Sequence, residues 1–137
     1  MLISKSGGNA AGLNSFYTRL RNYTSSNKEY SSSRIVDVVV IGLGTNDMAQ
    51  VTSGTERQTN YVNLMNTVRS KNPDVPIVWV YGMMRNDTFY DISAAVNAIG
   101  GSAAGIYTLE LPQNNAGGSN HPEFAAQTTY AQNSQPS

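Results

Sequence analysis

The chain has 137 residues, no cysteine and a formal net charge of zero, with nine basic and nine acidic side chains. A chain of this length fits one domain, and without cysteine it has neither a disulfide framework nor a cysteine nucleophile. The balanced charge argues against a nucleic acid or an anionic membrane as partner. No apolar run has the length of a membrane span, and no signal peptide is visible at the N-terminus.

The first half of the chain predicts a helix, a strand and a second helix. Residues 35–41 are β-branched and apolar apart from Asp37, which indicates a strand covered on both faces. The segments on either side repeat apolar residues at intervals of three and four, as a helix with one buried face does. These stripes are Leu13, Phe16, Tyr17 and Leu20 before the strand, and Tyr61, Leu64, Met65 and Val68 after it.

The second half repeats this alternation. Residues 75–81 and 106–111 are apolar runs that predict two more strands, and Pro76 stands near the start of the first, where a missing N–H matters least. Pro122 marks the first turn of a last helix. The order predicts an α/β domain, with helices on both faces of a parallel sheet and strand 35–41 near its centre. The helical stripe between the two strands is Ile92, Ala95, Val96 and Ile99.

Polar residues follow each predicted strand. In a parallel sheet these positions share the carboxyl edge, where such sheets bind ligands. Residues 44–47 (Gly-Thr-Asn-Asp) follow the first strand, residues 82–85 the second and residues 112–120 the third. A lone histidine is more often structural than catalytic. His121, the only histidine, comes directly after the third of these segments, so we expect its side chain and that of Asn46 to face one cleft.

Gly42 and Gly44 follow a strand, as do the first glycines of a dinucleotide-binding fingerprint. That fingerprint requires a third glycine at position 47, where this chain has Asp, and a carboxylate there would repel a pyrophosphate. We therefore interpret the segment as a polar site. Glycine allows a tight turn in it, and an amide nitrogen points at negative charge that develops during a reaction.

Two segments together resemble a known family. Residues 39–47 (VVIGLGTND) resemble the Gly-x-Asn-Asp block of the SGNH (GDSL-type) hydrolases, and residues 119–122 (SNHP) resemble the block that carries their catalytic histidine. The chain is most similar to the acetyl-esterases of carbohydrate esterase family 2. The resemblance implies one domain over residues 1–137, a flavodoxin-like α/β/α sandwich of three layers that works without a cofactor. No cluster of His, Asp and Glu has the spacing of metal ligands, so we predict no metal.

The resemblance also implies roles for individual residues. Asn46 would place its side-chain amide in the oxyanion hole, and His121 would be the general base. The second block of the family contributes a glycine amide to the same hole, and Gly8 matches that glycine best. Gly44 and Asp47 complete the first block, and we expect them to support the turn.

The chain departs from the family pattern at two points. It contains no Gly-Asp-Ser nucleophile block, and neither Ser4 nor Ser6 follows a strand long enough to present a hydroxyl at the sheet edge. The acid of the family stands two or three residues before the histidine, where this chain has Ser119 and Gly118. These departures predict a domain that is truncated at its N-terminus and lacks the first strand and the nucleophile.

The function implied by the resemblance is a serine-type hydrolase of esters, with O-acetyl groups on carbohydrate or another small ester as substrate, or an inactive fragment of one. Two alternatives stay open. One is a non-catalytic α/β domain that binds a small ligand at its polar edge. The other is a half-domain that needs a partner or associates with itself through an exposed sheet edge. Because the relatives are commonly exported, the resemblance also implies a secreted protein.

Other side chains near this edge favour structural roles. We expect Trp79 in the core rather than as a sugar platform, because strand alternation points it towards a covering helix. Met83 and Met84 are expected to fill the core, although one methionine could line an acyl pocket. Arg85 is interpreted as a solvated loop charge, and the role of Tyr90 is undecided.

Overall fold

The computed structural model describes residues 36–118 and 121–133. Its strands are β1 (Val39–Ile41), β2 (Ile77–Gly82) and β3 (Ile106–Leu111). Its helices are α1 (Asp47–Gln50), α2 (Gly54–Lys71), α3 (Phe89–Ala98) and α4 (Phe124–Asn133), and a short 3₁₀ helix, Gly101–Ala104, precedes β3. The helix expected around residues 13–20, together with Ser4, Ser6 and Gly8, lies outside the described residues.

The three strands form one parallel sheet in the order β1-β2-β3. Val39 pairs with Ile77, and Ile77 pairs in turn with Ile106. This parallel sheet with helices between its strands confirms the predicted α/β class. The sequence analysis placed the first strand near the centre, whereas among the described strands β2 is central and β1 lies at an edge, because only β2 pairs on both sides.

The strand β1 is shorter than the apolar run that predicted it. It begins at Val39 rather than at residue 35, and the N–H of Val39 donates to the carbonyl oxygen of Pro76 at 2.9 Å. Pro76 has no N–H with which to return a bond, and β2 itself begins only at Ile77. The pairing of β1 with β2 therefore begins with Val39 and Ile77, directly after Pro76.

One face of the sheet is covered by α2 and α3. Trp79 is fully buried on this face, with its ring edge-on to that of Tyr61 at 5.1 Å between centroids. The placement of Trp79 in the core is as expected from the sequence. The two helical stripes face the same core. Its buried members are Tyr61, Leu64, Met65 and Val68 from α2, Ile92, Ala95 and Val96 from α3, and Ile41, Ile77, Tyr81 and Ile106 from the sheet.

A buried ion pair joins α2 to α3. The Nε of Arg57 donates to Oδ2 of Asp91 at 2.6 Å, and Gln58 donates to the other carboxylate oxygen at 2.9 Å. Arg57 also donates to the carbonyl oxygen of Val51 at 2.6 Å, which attaches the residue after α1 to the same pair. Both charged groups are almost fully buried, so each depends on the other for its compensation.

The opposite face presents apolar side chains to the surface. Val40, Tyr107 and Leu109 alternate with the core residues of their strands, and they are 62%, 46% and 45% exposed. Beside the edge of β1 that pairs with no other described strand, residues 39–43 form a groove with Leu64 and Val68 of about 250 Å³, here called the outer groove. The expected third layer includes the helix predicted around residues 13–20, which lies outside the described residues. Within the described part of the chain, no helix combines the length and apolar character of a membrane span.

Candidate active site

Three loops lie at the carboxyl edge of the sheet. The first loop (residues 42–46) follows β1, and the second loop (residues 83–88) follows β2. The third loop follows β3 and comprises the described residues 112–118 and 121–123. Because the strands are parallel, all three loops leave the sheet on the same side. This arrangement places the predicted Asn46 and His121 at one edge.

The first loop turns tightly at Gly44. The φ of this residue is +124°, and the N–H of Asp47 donates to its carbonyl oxygen at 2.9 Å. A side chain here would adopt a strained backbone, and its Cβ would stand 3.0 Å from the ring of Tyr81. From the core side, the indole N–H of Trp79 donates to the carbonyl oxygen of Leu43 at 2.9 Å. The loop is therefore fixed by both its own turn and the core beneath it.

Asp47 is fully buried at the start of α1. Its Oδ2 accepts a hydrogen bond from the hydroxyl of Tyr61 at 3.4 Å. Burial raises the pKa of Tyr61, and the nearby Asp47 charge raises it further, so the hydroxyl keeps its proton at neutral pH and can donate. These contacts connect the turn that follows Gly44 to α2.

Asn46 stands at the outer end of this turn. It occupies the N-cap position of α1, but its side chain makes no capping hydrogen bond, and it is exposed. Among the hydrogen bonds of residues 36–118 and 121–133, none uses the side-chain amide of Asn46. The backbone at this position is held by the turn between Gly44 and Asp47.

His121 is held by its backbone. The N–H of Gly117 donates to its carbonyl oxygen at 2.9 Å, and the N–H of His121 donates to the carbonyl oxygen of Gly118 at 3.2 Å. Its imidazole is exposed, and no described side chain forms a hydrogen bond or ion pair with it. The helix α4 begins at Phe124, two residues later than the position of Pro122 predicted.

Asn46 and His121 open onto the same cavity, as expected from the sequence. This cavity, here called the histidine cavity, has a volume of about 390 Å³ and is lined by residues 42–46, Met84 and His121. The cavity therefore brings together Asn46 and His121, one from each of the two segments that carry the family resemblance. Gly8, the expected second donor, lies outside the described residues.

A second cavity adjoins the first. It has a volume of about 500 Å³ and is here called the amide cavity, because side-chain amides of all three loops line it. Thr45 and Asn46 come from the first loop, residues 84–87 from the second, and Gln113 and Asn115 from the third. The sequence analysis did not identify the amides of the third loop. Their repeated occurrence after a strand at this edge was the available signal.

The second loop has an unusual backbone. Met83 has a φ of +64°, and the N–H of Met84 donates across it to the carbonyl oxygen of Gly82 at 2.9 Å. This is a γ-turn of the less stable hand, which costs about 1–3 kcal/mol. The turn directs Met84 to the wall of both cavities, which fits the expected alternative that one methionine lines a pocket rather than filling the core.

The chemistry available at the site is that of an amide, an imidazole, neutral hydrogen-bonding groups and one ion pair, Arg85 with Asp87. Among the described residues, no three His, Asp or Glu side chains come close enough together to hold a metal ion. An amide donor and an imidazole base beside one cavity suit the attack of an oxygen nucleophile on a carbonyl group.

Comparison with known proteins points to one group of enzymes. No protein-family model and no curated protein matches this sequence. A family two carbohydrate esterase from Clostridium thermocellum in complex with cellohexaose is 27% identical, with a TM-score of 0.71, over 96% of this chain and 44% of that one. An active-site mutant of a family two carbohydrate esterase from that bacterium is 27% identical, with a TM-score of 0.76, over 96% and 43%. An acetyl xylan esterase from the rumen bacterium Butyrivibrio proteoclasticus is 18% identical, with a TM-score of 0.75, over 89% and 44%.

The chain spans less than half the length of each of these structures. Over that length the chains share their fold, because the TM-score is 0.75 even where only 18% of the residues are identical. The resemblance to carbohydrate esterase family 2 that the sequence motifs carry is thereby confirmed. This chain shares the SGNH-like α/β fold of the family two carbohydrate esterases.

Proposed function

We propose that this chain supplies the oxyanion donor and the general base of an esterase that removes O-acetyl or other small ester groups from carbohydrate. The observation that carries the proposal is that Asn46 and His121 line one cavity at the carboxyl edge of the sheet. The shared fold supports it, because the chain resembles enzymes described as carbohydrate esterases and as an acetyl xylan esterase. Gly44 and Asp47 support the turn that presents Asn46.

In the proposed reaction, a hydroxyl oxygen attacks the ester carbonyl carbon while the imidazole of His121 accepts the hydroxyl proton. The carbonyl oxygen becomes negative, and a side-chain N–H of Asn46 donates to it. Loss of one such donor raises the barrier by about 3–4 kcal/mol. The bond to the alcohol oxygen then breaks, and that oxygen takes the proton from His121. Water repeats these steps on the acyl intermediate and releases acetate.

The nucleophile is the remaining group that this reaction requires. Among the described residues, Thr45 brings a hydroxyl to the histidine cavity, and no serine lines it. Ser4, Ser6 and the proposed second donor Gly8 lie outside the described residues. Because residues 1–137 contain no Gly-Asp-Ser block, we propose that this chain alone is inactive as an esterase.

Hydrolysis of 4-nitrophenyl acetate tests both parts of this proposal. The chain alone should hydrolyse the ester no faster than free imidazole does per histidine. An added N-terminal segment that carries a strand and Gly-Asp-Ser should restore turnover. In the extended protein, His121→Ala should abolish the gain, and Asn46→Ala should lower kcat by about 10²–10³-fold.

Two controls separate the site from general effects. The same segment with alanine in place of its serine should restore nothing, and Asn66→Ala, at an exposed amide of α2, should leave turnover unchanged. Labelling of the unextended chain by a fluorophosphonate at a serine would contradict the proposed inactivity, and Ser6 would be the first residue to mutate. Full turnover in the extended His121→Ala protein would overturn the role of the histidine.

The proposed substrate is an acetylated carbohydrate. Support comes from the family two carbohydrate esterase in complex with cellohexaose, which has the same fold. We also propose that the protein acts outside the cell, because polymeric carbohydrate of this kind does not cross a membrane. Release of acetate from acetylated xylan by the extended protein, with no release from acetylated peptides, is the expected result.

A second candidate function is that of a half-domain that pairs with another chain or a second copy. The observation that favours it is the free edge of β1 in the described sheet, where Val38 and Val40 are exposed beside the apolar outer groove. Such an edge offers unpaired N–H and C=O groups to another strand. A dimer in sedimentation that Val40→Lys dissociates would support this function, and a monomer at all concentrations would contradict self-association.

A further inference from the structure

The amide cavity has the chemistry of a site for hydroxyl groups. Asn46, Asn86, Gln113 and Asn115 each carry both a donor and an acceptor, and Thr45 adds a hydroxyl. A sugar hydroxyl also donates and accepts, so each of these groups can pair with one. No aromatic side chain lines the cavity among the described residues, so recognition relies on hydrogen bonds rather than on stacking.

The amide cavity and the histidine cavity share part of their walls. Thr45, Asn46 and Met84 belong to both. A molecule that fills the amide cavity therefore reaches the same Asn46 amide that the reaction requires. An ester attached to such a molecule would extend past Met84 towards His121.

The wall between the second and third loops is fixed by hydrogen bonds. The backbone N–H of Asn114 donates to the carbonyl oxygen of Met83 at 2.6 Å, and the side chain of Gln113 donates to that of Met84 at 3.1 Å. These bonds join the end of β2 to the loop after β3. The lining amides of the third loop are thus held against the second loop before any ligand arrives, which lowers the ordering cost of binding.

The two charges in the cavity lining neutralise each other. Arg85 and Asp87 form an ion pair, and the Nε of Arg85 donates to Oδ2 of Asp87 at 2.8 Å. The hydroxyl of Tyr81 donates to Oδ1 of Asp87 at 3.0 Å and fixes the carboxylate from the core side. Burial raises the pKa of Tyr81, which keeps this donor protonated. A negatively charged ligand would have to compete with Asp87 for Arg85.

We propose that the amide cavity binds the neutral sugar unit that carries the ester, and that Asp87 excludes acidic sugars from it. The inference deepens the proposed function and rests on it for the position of the ester. An uncharged sugar meets amides and a neutralised ion pair. A uronic acid in the same position finds Arg85 already paired with Asp87, so its carboxylate loses water without gaining a free counter-charge.

Titrations followed by two-dimensional ¹H–¹⁵N NMR test this site without any ester. The ligands are methyl β-D-glucopyranoside and methyl β-D-glucuronide, which differ by a hydroxymethyl group in place of a carboxylate. The glucoside should shift the side-chain amides of Asn86, Gln113 and Asn115, with a Kd of about 1 mM, since few neutral hydrogen bonds contribute. The glucuronide should bind roughly fivefold to tenfold more weakly.

Asp87→Asn should remove this preference. The variant keeps an oxygen that can accept from Tyr81 but leaves Arg85 without its counter-charge, so glucuronide affinity should rise roughly fivefold to tenfold. Glucoside affinity should stay within about threefold, because an asparagine can still bond to hydroxyls. Asp74→Asn removes the same charge at an exposed position outside the cavity lining and should leave both affinities unchanged.

The results separate this inference from the proposed function. Absence of glucoside binding, equal binding of both sugars by the unmutated chain, or shifts confined to residues outside the cavity would overturn the inference. The comparison of the two sugars with the unmutated chain stands even if a variant does not fold. Binding as predicted without restored turnover in the extended protein would overturn the esterase function alone, and turnover without glucoside binding would overturn the sugar site alone.

Discussion

The first and third loops meet at the same cleft, but they are fixed in different ways. The first loop is attached to the core, because Trp79 donates to Leu43 and the buried Asp47 accepts from Tyr61. The third loop carries His121 on two backbone hydrogen bonds to its own glycines, and its imidazole is exposed. The backbone of Asn46, the proposed oxyanion donor, is therefore positioned by the packed interior, whereas that of His121, the proposed base, is positioned by a local turn.

Substitutions beneath the first loop and within the third loop should therefore have different effects. A change in the core beneath the first loop should alter both stability and the position of Asn46, because the same contacts serve both. A change in the third loop should move His121 while the free energy of unfolding stays nearly constant. Exposed loops contribute little to that energy. Three substitutions and one change of pH test this difference between the first and the third loop.

The largest effect is expected from the ion pair that anchors the end of α1. Arg57→Met leaves Asp91 as an uncompensated buried charge and removes the bond to Val51, so the free energy of unfolding should fall by about 3–5 kcal/mol. Urea denaturation followed by circular dichroism measures it. Arg85→Met is the matched control at an exposed ion pair, where the loss should be at most about 1 kcal/mol. Equal losses in the two variants would contradict the distinction between core and surface.

A methyl group at Gly44 should act on the first loop directly. Gly44→Ala forces a side chain into a φ of +124° and against the ring of Tyr81, so we expect a loss of about 2 kcal/mol in the free energy of unfolding. Gly42→Ala is the control in the same loop, because its new Cβ would meet no atom within 4 Å. That change should stay within about 0.5 kcal/mol. If both variants were equally stable, the turn would not have the described geometry.

Alkaline pH should weaken the attachment at Tyr61. Burial raises the pKa of this residue above its ordinary value of 10.0, so the folded protein holds the proton more tightly than the unfolded chain. Its contribution to stability is therefore complete below about pH 10 and is lost as the pH rises further, at up to about 1.4 kcal/mol per pH unit. In Tyr61→Phe the free energy of unfolding, measured by urea denaturation between pH 9 and 11, should decline less steeply. The difference in slope should be at most the value just given.

The matched control for this pH dependence is Tyr107→Phe. Tyr107 lies on the exposed face of the sheet, where its ring is 46% exposed. Removing its hydroxyl should leave the alkaline decline as steep as in the unmutated chain. A decline that Tyr61→Phe fails to reduce would show that another group causes it.

The smallest effect on stability is expected in the third loop. A Cβ at position 117 would stand 2.6 Å from the carbonyl oxygen of His121, so Gly117→Ala should displace that residue. The ¹H and ¹⁵N resonances of the imidazole should shift, while the free energy of unfolding changes by less than about 0.5 kcal/mol. Gly118→Ala, whose Cβ would meet no atom within 4 Å, should leave the resonances in place. Unshifted resonances in the Gly117 variant would show that the turn does not position His121.

The elements that follow from local periodicity could be predicted from the sequence. β3 has the predicted bounds, and the stripe of α2 is buried as its spacing required. The common cavity of Asn46 and His121 followed from the rule that parallel strands share their carboxyl edge. The start of β1 could not be predicted from its own residues, because it depends on Pro76, the residue just before β2.

The amide cavity could not be predicted from the sequence either, because it depends on contacts between separate loops. Its lining depends on the hydrogen bonds between the second and third loops, which no short-range pattern encodes. Arg85 is an exposed loop charge, as interpreted from the sequence, but its pairing with Asp87, two residues away, was not predicted. Whether two charges in a loop pair depends on the turns of the backbone. The positive φ of Met83, just before Arg85, could not be predicted from the sequence, because methionine rarely adopts it.

Met84 gives the two cavities a common chemical weakness. A thioether oxidises to a sulfoxide, which replaces an apolar wall with a strongly polar and bulkier one. Because this single side chain borders both cavities, one oxygen atom would disturb the proposed acyl site and the proposed sugar site together. The site would thus lose both abilities in one step under peroxide, and a methionine sulfoxide reductase would return both.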